Sequence, residues 1–320
     1  MNALSIESQV ILRVTAYDVF ITLPRRTVRN VHAMPKIYDC FLYFNEDLLL
    51  SLRLETLHQV VDTFVIAEAT HTFAGKPKAL RFNPTRFPKF ADKIVYLVVD
   101  DLPLDSTHAF ANEIHQRNAL MRGLMAAAPD DRVILSDVDE IPNPEAIKRY
   151  RPWYLYGTFI QRFYAYFFNN LGVKTENPRE PRWWIRSKIT TVAHLKNFFG
   201  TPQNLRIYKK QPGLSGLIHQ IHRKVRHQRL YNGGWHFSWV MTPEQMIQKI
   251  ESYSHTDHNI PAIKSVDAIR AAIQAGQDIL KKGERFRLVE LDSSFPPYLR
   301  EHLDQFREWY LDPIKKAPQT

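Results

Sequence analysis

The sequence predicts an α/β fold with a mostly parallel central sheet flanked by helices. Short, continuous apolar runs recur through the first half of the chain, and segments with a helical spacing of apolar residues separate them. Strands that alternate with helices in this way form βαβ units, in which the strands lie parallel. The 320 residues, 44% of them hydrophobic, are enough for one large domain of this class.

The first half contains four predicted strands and two predicted helices. Each strand is a continuous apolar run, as expected where both faces of a sheet are covered. These runs lie at 37–44, 63–67, 94–99 and 133–135. The helices have apolar residues three and four positions apart and lie at 46–60 and 110–128, the second ending before Pro129.

The second half is less regular. An aromatic run at 158–168 is strand-like, and the polar, proline-containing segment 170–182 is predicted to be a loop. A short aromatic segment follows at 233–240. Three further helices are predicted at 244–255, 262–280 and 298–310.

Three regions are predicted along the chain. Residues 1–35 lack periodicity and are interpreted as an extension outside the core, although an N-terminal strand or arm is the alternative. Residues 36–260 form the main α/β domain, and the helical region 261–320 packs on it.

The composition limits the partners and the cellular compartment that we expect for this protein. The net charge of +10 favours an anionic partner, which leaves nucleic acid, a lipid surface and a sugar diphosphate open. The lone cysteine, Cys40, excludes an internal disulfide and points to a reducing compartment. No run is long enough to span a membrane, so we expect a soluble or peripheral protein.

An acidic motif follows the strand at 133–135, in the segment Arg132–Pro142. Asp137 and Asp139 lie two residues apart at the carboxyl end of a buried strand, where ligands bind in open α/β sheets. Two such carboxylates can face one Mg²⁺ or Mn²⁺ ion, which then bridges a diphosphate. The alternative is a solvated acidic turn or a helix cap.

Three further polar residues are predicted to lie near the acidic motif. Asn45 follows the first strand and Glu68 ends the second, while Arg117 lies early in the helix before the acidic strand. Glu68 can hydrogen-bond a uracil or ribose edge, and Arg117 can pair with a diphosphate or orient an acidic ligand. The alternatives are a helix cap, an edge carboxylate and a surface ion pair, respectively.

The segment Asn232–Trp239 combines paired glycines, aromatic residues and one histidine. Trp235 or Trp239 can stack on a sugar face, and His236 can serve as a ligand or a base. The alternative is an aromatic core cluster with a hydrogen-bonded histidine.

Together these motifs resemble glycosyltransferase family 17, whose members have the GT-A fold. The residues that carry the resemblance are Val61–Ile66, Gly75–Pro77, Asp137–Pro142 and Gly234–Trp239, and the similarity runs from about residue 36 to about residue 253. It implies an inverting transfer of a sugar, GlcNAc from UDP-GlcNAc, to an acceptor hydroxyl of a glycan. It also implies that Asp137, Asp139 and His236 bind Mn²⁺ or Mg²⁺.

Roles and partners follow as expectations. Asn45, Glu68, Arg117 and Trp235 are predicted to bind the donor. Glu140 is the nearest candidate for the base that deprotonates the acceptor, and its alternative role is to support the metal ligands. The expected partners are a nucleotide-sugar donor and a glycan or lipid-linked glycan acceptor, without nucleic acid. The expected location is the cytoplasm, with peripheral association at the inner face of the membrane.

Two other functions stay open at this stage. A nucleotidyltransferase that makes sugar nucleotides would require a glycine-rich phosphate loop near the N-terminus, and the sequence contains none. A nucleic-acid-binding protein would require basic residues interleaved with exposed aromatic residues. The basic stretch 206–229 keeps this second alternative open, and it equally fits binding of the donor diphosphate or of an anionic acceptor.

Overall fold

The computed structural model describes residues 34–104, 109–208, 225–252, 264–280 and 283–313. The predicted extension at 1–33 and part of the basic stretch, including Lys209, Lys210, Arg223 and Lys224, lie outside the described residues. Within the described ranges the chain forms two sheets with helices around them.

The strands are numbered in chain order through the described ranges. They are β1 (Ile37–Leu42), β2 (Thr63–Ala69), β3 (Ile94–Val99), β4 (Arg132–Leu135), β5 (Glu140–Pro142), β6 (Tyr156–Phe159), β7 (Gln161–Ala165), β8 (Asn170–Val173), β9 (Trp183–Trp184), β10 (Lys188–Thr191), β11 (His227–Leu230), β12 (Gly234–Ser238) and β13 (Arg285–Leu288).

The α-helices of the described ranges are numbered in the same way. They are α1 (Asp47–Leu57), α2 (Ala109–Ala119), α3 (Pro144–Lys148), α4 (Val192–His194), α5 (Pro202–Arg206), α6 (Pro243–Ser252), α7 (Val266–Gln274) and α8 (Pro297–Glu301). Short 3₁₀ segments occur at Pro84–Arg86, Pro88–Lys93, Leu120–Leu124 and Leu303–Trp309, and a π-helical segment at Leu195–Phe199. None of the helices in the described ranges is long and apolar enough to cross a membrane.

The seven-stranded sheet confirms the predicted fold class in its coarse form. Its strand order is β11-β6-β10-β4-β1-β2-β3, and β4, β1, β2 and β3 run parallel to one another. The strand β10 is antiparallel to both β4 and β6. The carboxyl ends of β1, β2 and β4 therefore lie along one edge of the sheet, where the sequence placed the candidate site.

Both faces of this sheet are covered by apolar side chains. Five leucines of α1 are buried on one face, together with residues of the C-terminal segment such as Leu299 and Phe306. The other face packs against Leu120 and Leu124, beside α2, and against the π-helical segment. This two-sided burial explains why β1 to β4 read as continuous apolar runs.

A six-stranded sheet extends the fold beyond the acidic motif. Its main order is β13-β8-β7-β12-β5, and β9 pairs with β7. The strand β12 is antiparallel to β5, with Gly234 opposite Pro142 and His236 opposite Glu140. This pairing brings the aromatic segment at 234–238 alongside the acidic motif.

Four predicted elements differ from the structure. The run 158–168 was predicted as one strand, but it divides into β6 and β7, which belong to different sheets. The backbone breaks at Ile160, whose N–H and carbonyl bond Leu230 and Gly233. The predicted loop 170–182 contains β8, and the predicted helical region 261–320 contributes β13, which pairs with β8. The helix predicted at 110–128 ends at Ala119 and continues as a 3₁₀ segment.

Candidate active site

The site is built around residues 136–140, which we call the acidic loop. It joins the carboxyl end of β4 to β5, and the Glu140 N–H donates to the Asp137 carbonyl over 3.0 Å to close a turn. The three carboxylates of this loop meet three different sets of partners. The loop therefore presents negative charge at the edge of the sheet, as the sequence predicted.

Glu140 is fully buried and accepts hydrogen bonds on both carboxylate oxygens. Its donors are the Trp184 indole at 2.5 Å, the Ser187 hydroxyl at 2.9 Å, the Asp137 N–H at 3.1 Å and two nitrogens of Arg206 at 2.5 and 2.7 Å. Burial alone would raise the pKa of Glu140, but the Arg206 guanidinium more than offsets burial, so the pKa lies well below its ordinary value. A carboxylate held in this way is a poor proton acceptor, and its contacts favour the second predicted role, support of the loop.

Asp137 lies between two arginines. Arg206, at the end of α5, donates to one carboxylate oxygen over 2.5 Å, and Arg117 of α2 approaches the other at 3.2 Å. Arg117 is also bonded by Glu113 at 2.9 Å and by Gln203 at 2.8 Å. Arg117 therefore contacts the acidic loop directly, and both of its predicted roles stay predictions.

Asp139 lies between a histidine and a lysine. Its carboxylate is 3.6 Å from Nε2 of His236 and 3.9 Å from Nζ of Lys249, which also approaches Glu46 at 3.7 Å. Burial raises the pKa of Asp139, but the nearby charges of His236 and Lys249 outweigh burial and leave the pKa below its ordinary value. Asp139 is therefore ionised and close to both the β1 end and β12.

His236 is buried against aromatic rings. Its ring centroid lies 4.2 Å from that of Trp184 and 5.3 Å from that of Phe163. Its Nδ1 is buried and finds no hydrogen-bond partner among the described residues, while its Nε2 faces Asp139. The aromatic surroundings agree with the predicted alternative of an aromatic core cluster, while Nδ1 lacks a hydrogen bond among the described residues. The role of His236 as a ligand stays a prediction.

A glycine allows this close approach of β12 to the acidic loop. Gly234 has a φ of +119°, and a Cβ placed on it would lie 2.2 Å from the carbonyl oxygen of Ile141. Residues with a side chain rarely adopt such a φ and would collide here. Gly234 therefore permits backbone contact next to His236.

Two of the predicted donor-binding residues make contacts elsewhere. Trp235 faces the core on the opposite side of β12 from His236, and its indole N–H donates to the Ser294 carbonyl over 2.8 Å. Glu68 is fully buried and accepts from Lys78, Tyr96 and the backbone of Arg81 and Phe82. Glu68 thereby fixes the segment 78–82 to the end of β2. Neither side chain faces the acidic loop.

Asn45 lines a polar cavity beside the acidic loop. Its side chain donates to Gln248 over 3.1 Å. The cavity has a volume of about 280 Å³, and a larger one of about 490 Å³ adjoins it. The lining residues of the smaller cavity are Tyr43, Asn45, Asp47, Arg81, Arg86, Gln245 and Gln248. Lys249 follows Gln248 in α6 and approaches both Asp139 and Glu46, and Glu46 lines the larger cavity.

Sequence reasoning missed several residues of the site. Arg206 was noted only as part of a basic stretch, while Lys249 and Trp184 were not singled out. A buried ion pair between Asp39 and Arg53 was missed as well. The sequence contains one indication of this ion pair, because Asp39 interrupts an otherwise apolar strand.

The predicted metal ion can be tested against these residues. In the described part of the chain, no group of three or more His, Cys, Asp or Glu is arranged to hold a metal alone. Asp139 and His236 do converge, with Nε2 of the imidazole 3.6 Å from the carboxylate. An ion such as Mg²⁺ is commonly held by one or two carboxylates together with substrate phosphates. The residues therefore fit an ion that is shared with a bound diphosphate.

Comparison with family models finds a match over part of this chain. Residues 22–170 match the family model described as Glycosyltransferase family 17. The matching family is glycosyltransferase family 17. This confirms the resemblance found in the motifs, and the matched range contains Asn45, Glu68, Arg117 and the acidic loop. His236, Arg206 and Lys249 lie beyond it.

Curated proteins of similar sequence are glycosyltransferases. The β-1,4-mannosyl-glycoprotein 4-β-N-acetylglucosaminyltransferases of Rattus norvegicus and Homo sapiens are 24% and 26% identical to this chain over 300 residues. These alignments cover 85% of this chain and 54% of each relative, so the chain spans about half the length of the curated relatives it matches.

Solved structures were compared as well, and one of the similar structures shows the low level of likeness. It is the inositol-1-phosphate CTP transferase from T. maritima, with 11% identity, a TM-score of 0.27, and coverage of 63% of this chain and 87% of that one. A TM-score this low supports no statement about fold or function. The assignment of this chain to the GT-A fold stays a prediction.

Proposed function

We propose that this chain transfers GlcNAc from UDP-GlcNAc to a hydroxyl of a glycan, with inversion and with Mn²⁺ or Mg²⁺ as cofactor. The observation that carries the proposal is the convergence of Asp139, His236 and Lys249 at the edge of the parallel sheet, next to a polar cavity. This arrangement offers an anionic donor both metal ligands and positive charge.

The charges of the site fit the chemistry of such a transfer. When the bond to the sugar breaks, negative charge develops on the diphosphate that leaves. We propose that Lys249, Arg117 and Arg206 lower the free energy of that state, and that Asp139 and His236 hold the cation. A bound cation would supply Lewis-acid stabilisation of the leaving group. Asp137 and Glu140 keep the two arginines in place in this proposal.

The polar cavity fits the nucleoside part of the donor. Asn45, Gln245 and Gln248 supply amide groups that can hydrogen-bond a base or a ribose, and Tyr43 and Arg81 flank them. The volume of about 280 Å³ is near the lower end of ordinary ligand sites, and the adjoining cavity enlarges the space.

The acceptor and the location belong to the same proposal. We propose a glycan or lipid-linked glycan as the acceptor, and a cytoplasmic location with peripheral contact to the inner face of the membrane. The support is the net charge of +10, which favours anionic partners and surfaces. Neither the nucleotidyltransferase nor the nucleic-acid-binding alternative is better supported.

A panel of donors tests the proposal. We expect UDP-GlcNAc with Mn²⁺ to raise the melting temperature more than GDP-sugars, CTP or UDP-GlcNAc in EDTA, because a ligand at about 100 times its Kd adds about 2.7 kcal/mol of stability. Stabilisation by CTP and a sugar phosphate would favour the nucleotidyltransferase instead. Tight retention on a polyanion column without any donor effect would favour nucleic-acid binding.

A further inference from the structure

Helix α1 carries a buried arginine among leucines. Arg53 is fully buried, as are its neighbours Leu52 and Leu54. Its partner, Asp39, is fully buried inside β1. Buried charges are costly unless they are paired and hydrogen-bonded. The hydrogen bonds of Asp39 and Arg53 show which part of the structure this pair stabilises.

Asp39 fixes the orientation of the guanidinium group. Nε of Arg53 donates to one carboxylate oxygen over 2.8 Å, and Nη2 donates to the other over 2.6 Å. The guanidinium also lies over the Phe41 ring, 4.4 Å from its centroid. A bidentate pair of this kind has one geometry, so the remaining N–H groups of Arg53 point in a fixed direction.

Those remaining N–H groups all bind the acidic loop. Nη2 donates to the Ser136 hydroxyl over 2.6 Å. Nη1 donates to three backbone carbonyls of the loop, those of Asp137 at 2.9 Å, Val138 at 3.2 Å and Glu140 at 3.0 Å. Every donor of Arg53 is therefore used, and four of its six contacts are to one five-residue loop.

We propose that Arg53, oriented by Asp39, is a positioning residue that holds the backbone of the acidic loop in the turn that presents Asp137 and Asp139. This inference rests on the proposed function, since it assigns the loop to the site of transfer. The backbone carbonyls of Asp137, Val138 and Glu140 all accept from Nη1 of Arg53, so they point towards the core. The carboxylates of Asp137 and Asp139 instead face Arg117, Arg206, His236 and Lys249.

A planar guanidinium is required for this role. It presents five N–H groups in a rigid fork, whereas a lysine ammonium is a compact charge with three donors. Lysine at position 53 can retain one contact to Asp39 but cannot also span Ser136 and the three carbonyls. Arg206 holds the loop through the carboxylates of Asp137 and Glu140. In Arg53→Lys the loop would therefore lose the hydrogen bonds to its backbone carbonyls and keep the bonds to Arg206.

The test compares Arg53→Lys with Leu57→Ala, a buried change at the far end of the same helix. Two readouts are measured under conditions where both variants are folded. The first is hydrogen exchange of the amides in 136–140, compared with those of β2. The second is the kcat and KM of UDP-GlcNAc cleavage with Mn²⁺. Ser136→Ala, which removes one contact, is the milder variant if Arg53→Lys does not fold.

We expect Arg53→Lys to speed exchange in the acidic loop at least about 10-fold more than in β2, and to lower kcat about 100-fold with little change in KM. Leu57→Ala should change both segments alike and leave kcat within a few-fold. Equal exchange in the loop and β2 in Arg53→Lys, or in Ser136→Ala where that variant replaces it, would overturn the inference. If the wild type cleaves no nucleotide sugar, the proposed function fails, while the exchange data still decide whether Arg53 holds the loop.

Discussion

Replacing Glu140 by glutamine separates its two predicted roles. Glu140→Gln keeps the shape of the side chain but removes its charge from a fully buried position. If Glu140 is the base, the change abolishes transfer and leaves stability nearly intact. If Glu140 supports the acidic loop, the change destabilises the protein. The contacts of Glu140 predict the second result.

The size of the loss follows from those contacts. Each carboxylate oxygen accepts from at least one N–H of Arg206 and from another donor, Trp184 on one side and the Asp137 N–H on the other. A glutamine amide group must turn its NH₂ towards one of these sets, so two N–H groups face it unpaired. Breaking a buried ion pair costs about 3–5 kcal/mol. Arg206 keeps its bond to Asp137, so we expect about 3 kcal/mol.

Urea denaturation followed by tryptophan fluorescence measures this loss. The matched control is Glu145→Gln, where an exposed carboxylate pairs with an exposed lysine and the expected change is below about 0.5 kcal/mol. Because the pKa of Glu140 is lowered, its contribution is fully present above the ordinary value of 4.5 and is lost as the pH falls below it. A Glu140→Gln protein as stable as the wild type but inactive would refute the supporting role.

Three further predictions concern other residues of the fold and site. Burial and the charge of Arg206 lower the pKa of Lys188 to about 7. Between pH 7 and 10.5 this lysine is therefore mostly neutral in the folded protein and protonated in the unfolded chain. The free energy of unfolding of the wild type should then rise with pH relative to that of Lys188→Met, by up to about 1.4 kcal/mol per pH unit. A difference between the two proteins that stays constant over this pH range would contradict this. Gly234→Ala should cost more than about 3 kcal/mol in chemical denaturation because its Cβ meets the Ile141 carbonyl, whereas Gly276→Ala, with open space around it, should cost about 1 kcal/mol. His236→Ala should raise the Mn²⁺ concentration needed for half-maximal donor cleavage, and an unchanged requirement with only a lower melting temperature would make His236 structural.

The parallel core was predictable because its strands have a strong local signal. The strands β1, β2 and β4 are buried on both faces, so each is a mostly apolar run that sequence alone locates. The run 158–168 has the same kind of signal throughout. Its division at Ile160 depends on hydrogen bonds from Leu230 and Gly233, some 70 residues away, and no local pattern records them.

The site was predictable where it lies on those strands and not elsewhere. Asp137 and Asp139 directly follow an apolar strand, so their position at the sheet edge follows from topology. Arg206 and Lys249 reach the same loop from α5 and α6, and only tertiary packing brings them there. The orientation of Trp235 could not be predicted for a different reason. Successive side chains of β12 lie on opposite faces, so Trp235 lies in the core and His236 in the site. The sequence pattern fits either orientation of the strand.

Calorimetric titration of UDP-GlcNAc into the protein, with Mn²⁺ and with EDTA, tests the central claim most directly. We predict that the wild type binds the donor at least about 10-fold more tightly with Mn²⁺. Asp139→Asn should bind equally weakly in both conditions, because the carboxylate is a proposed ligand of the shared ion. Asp92→Asn, an exposed control, should behave as the wild type. Donor binding that is the same with Mn²⁺ and EDTA, or no binding of UDP-GlcNAc at all, would contradict the account.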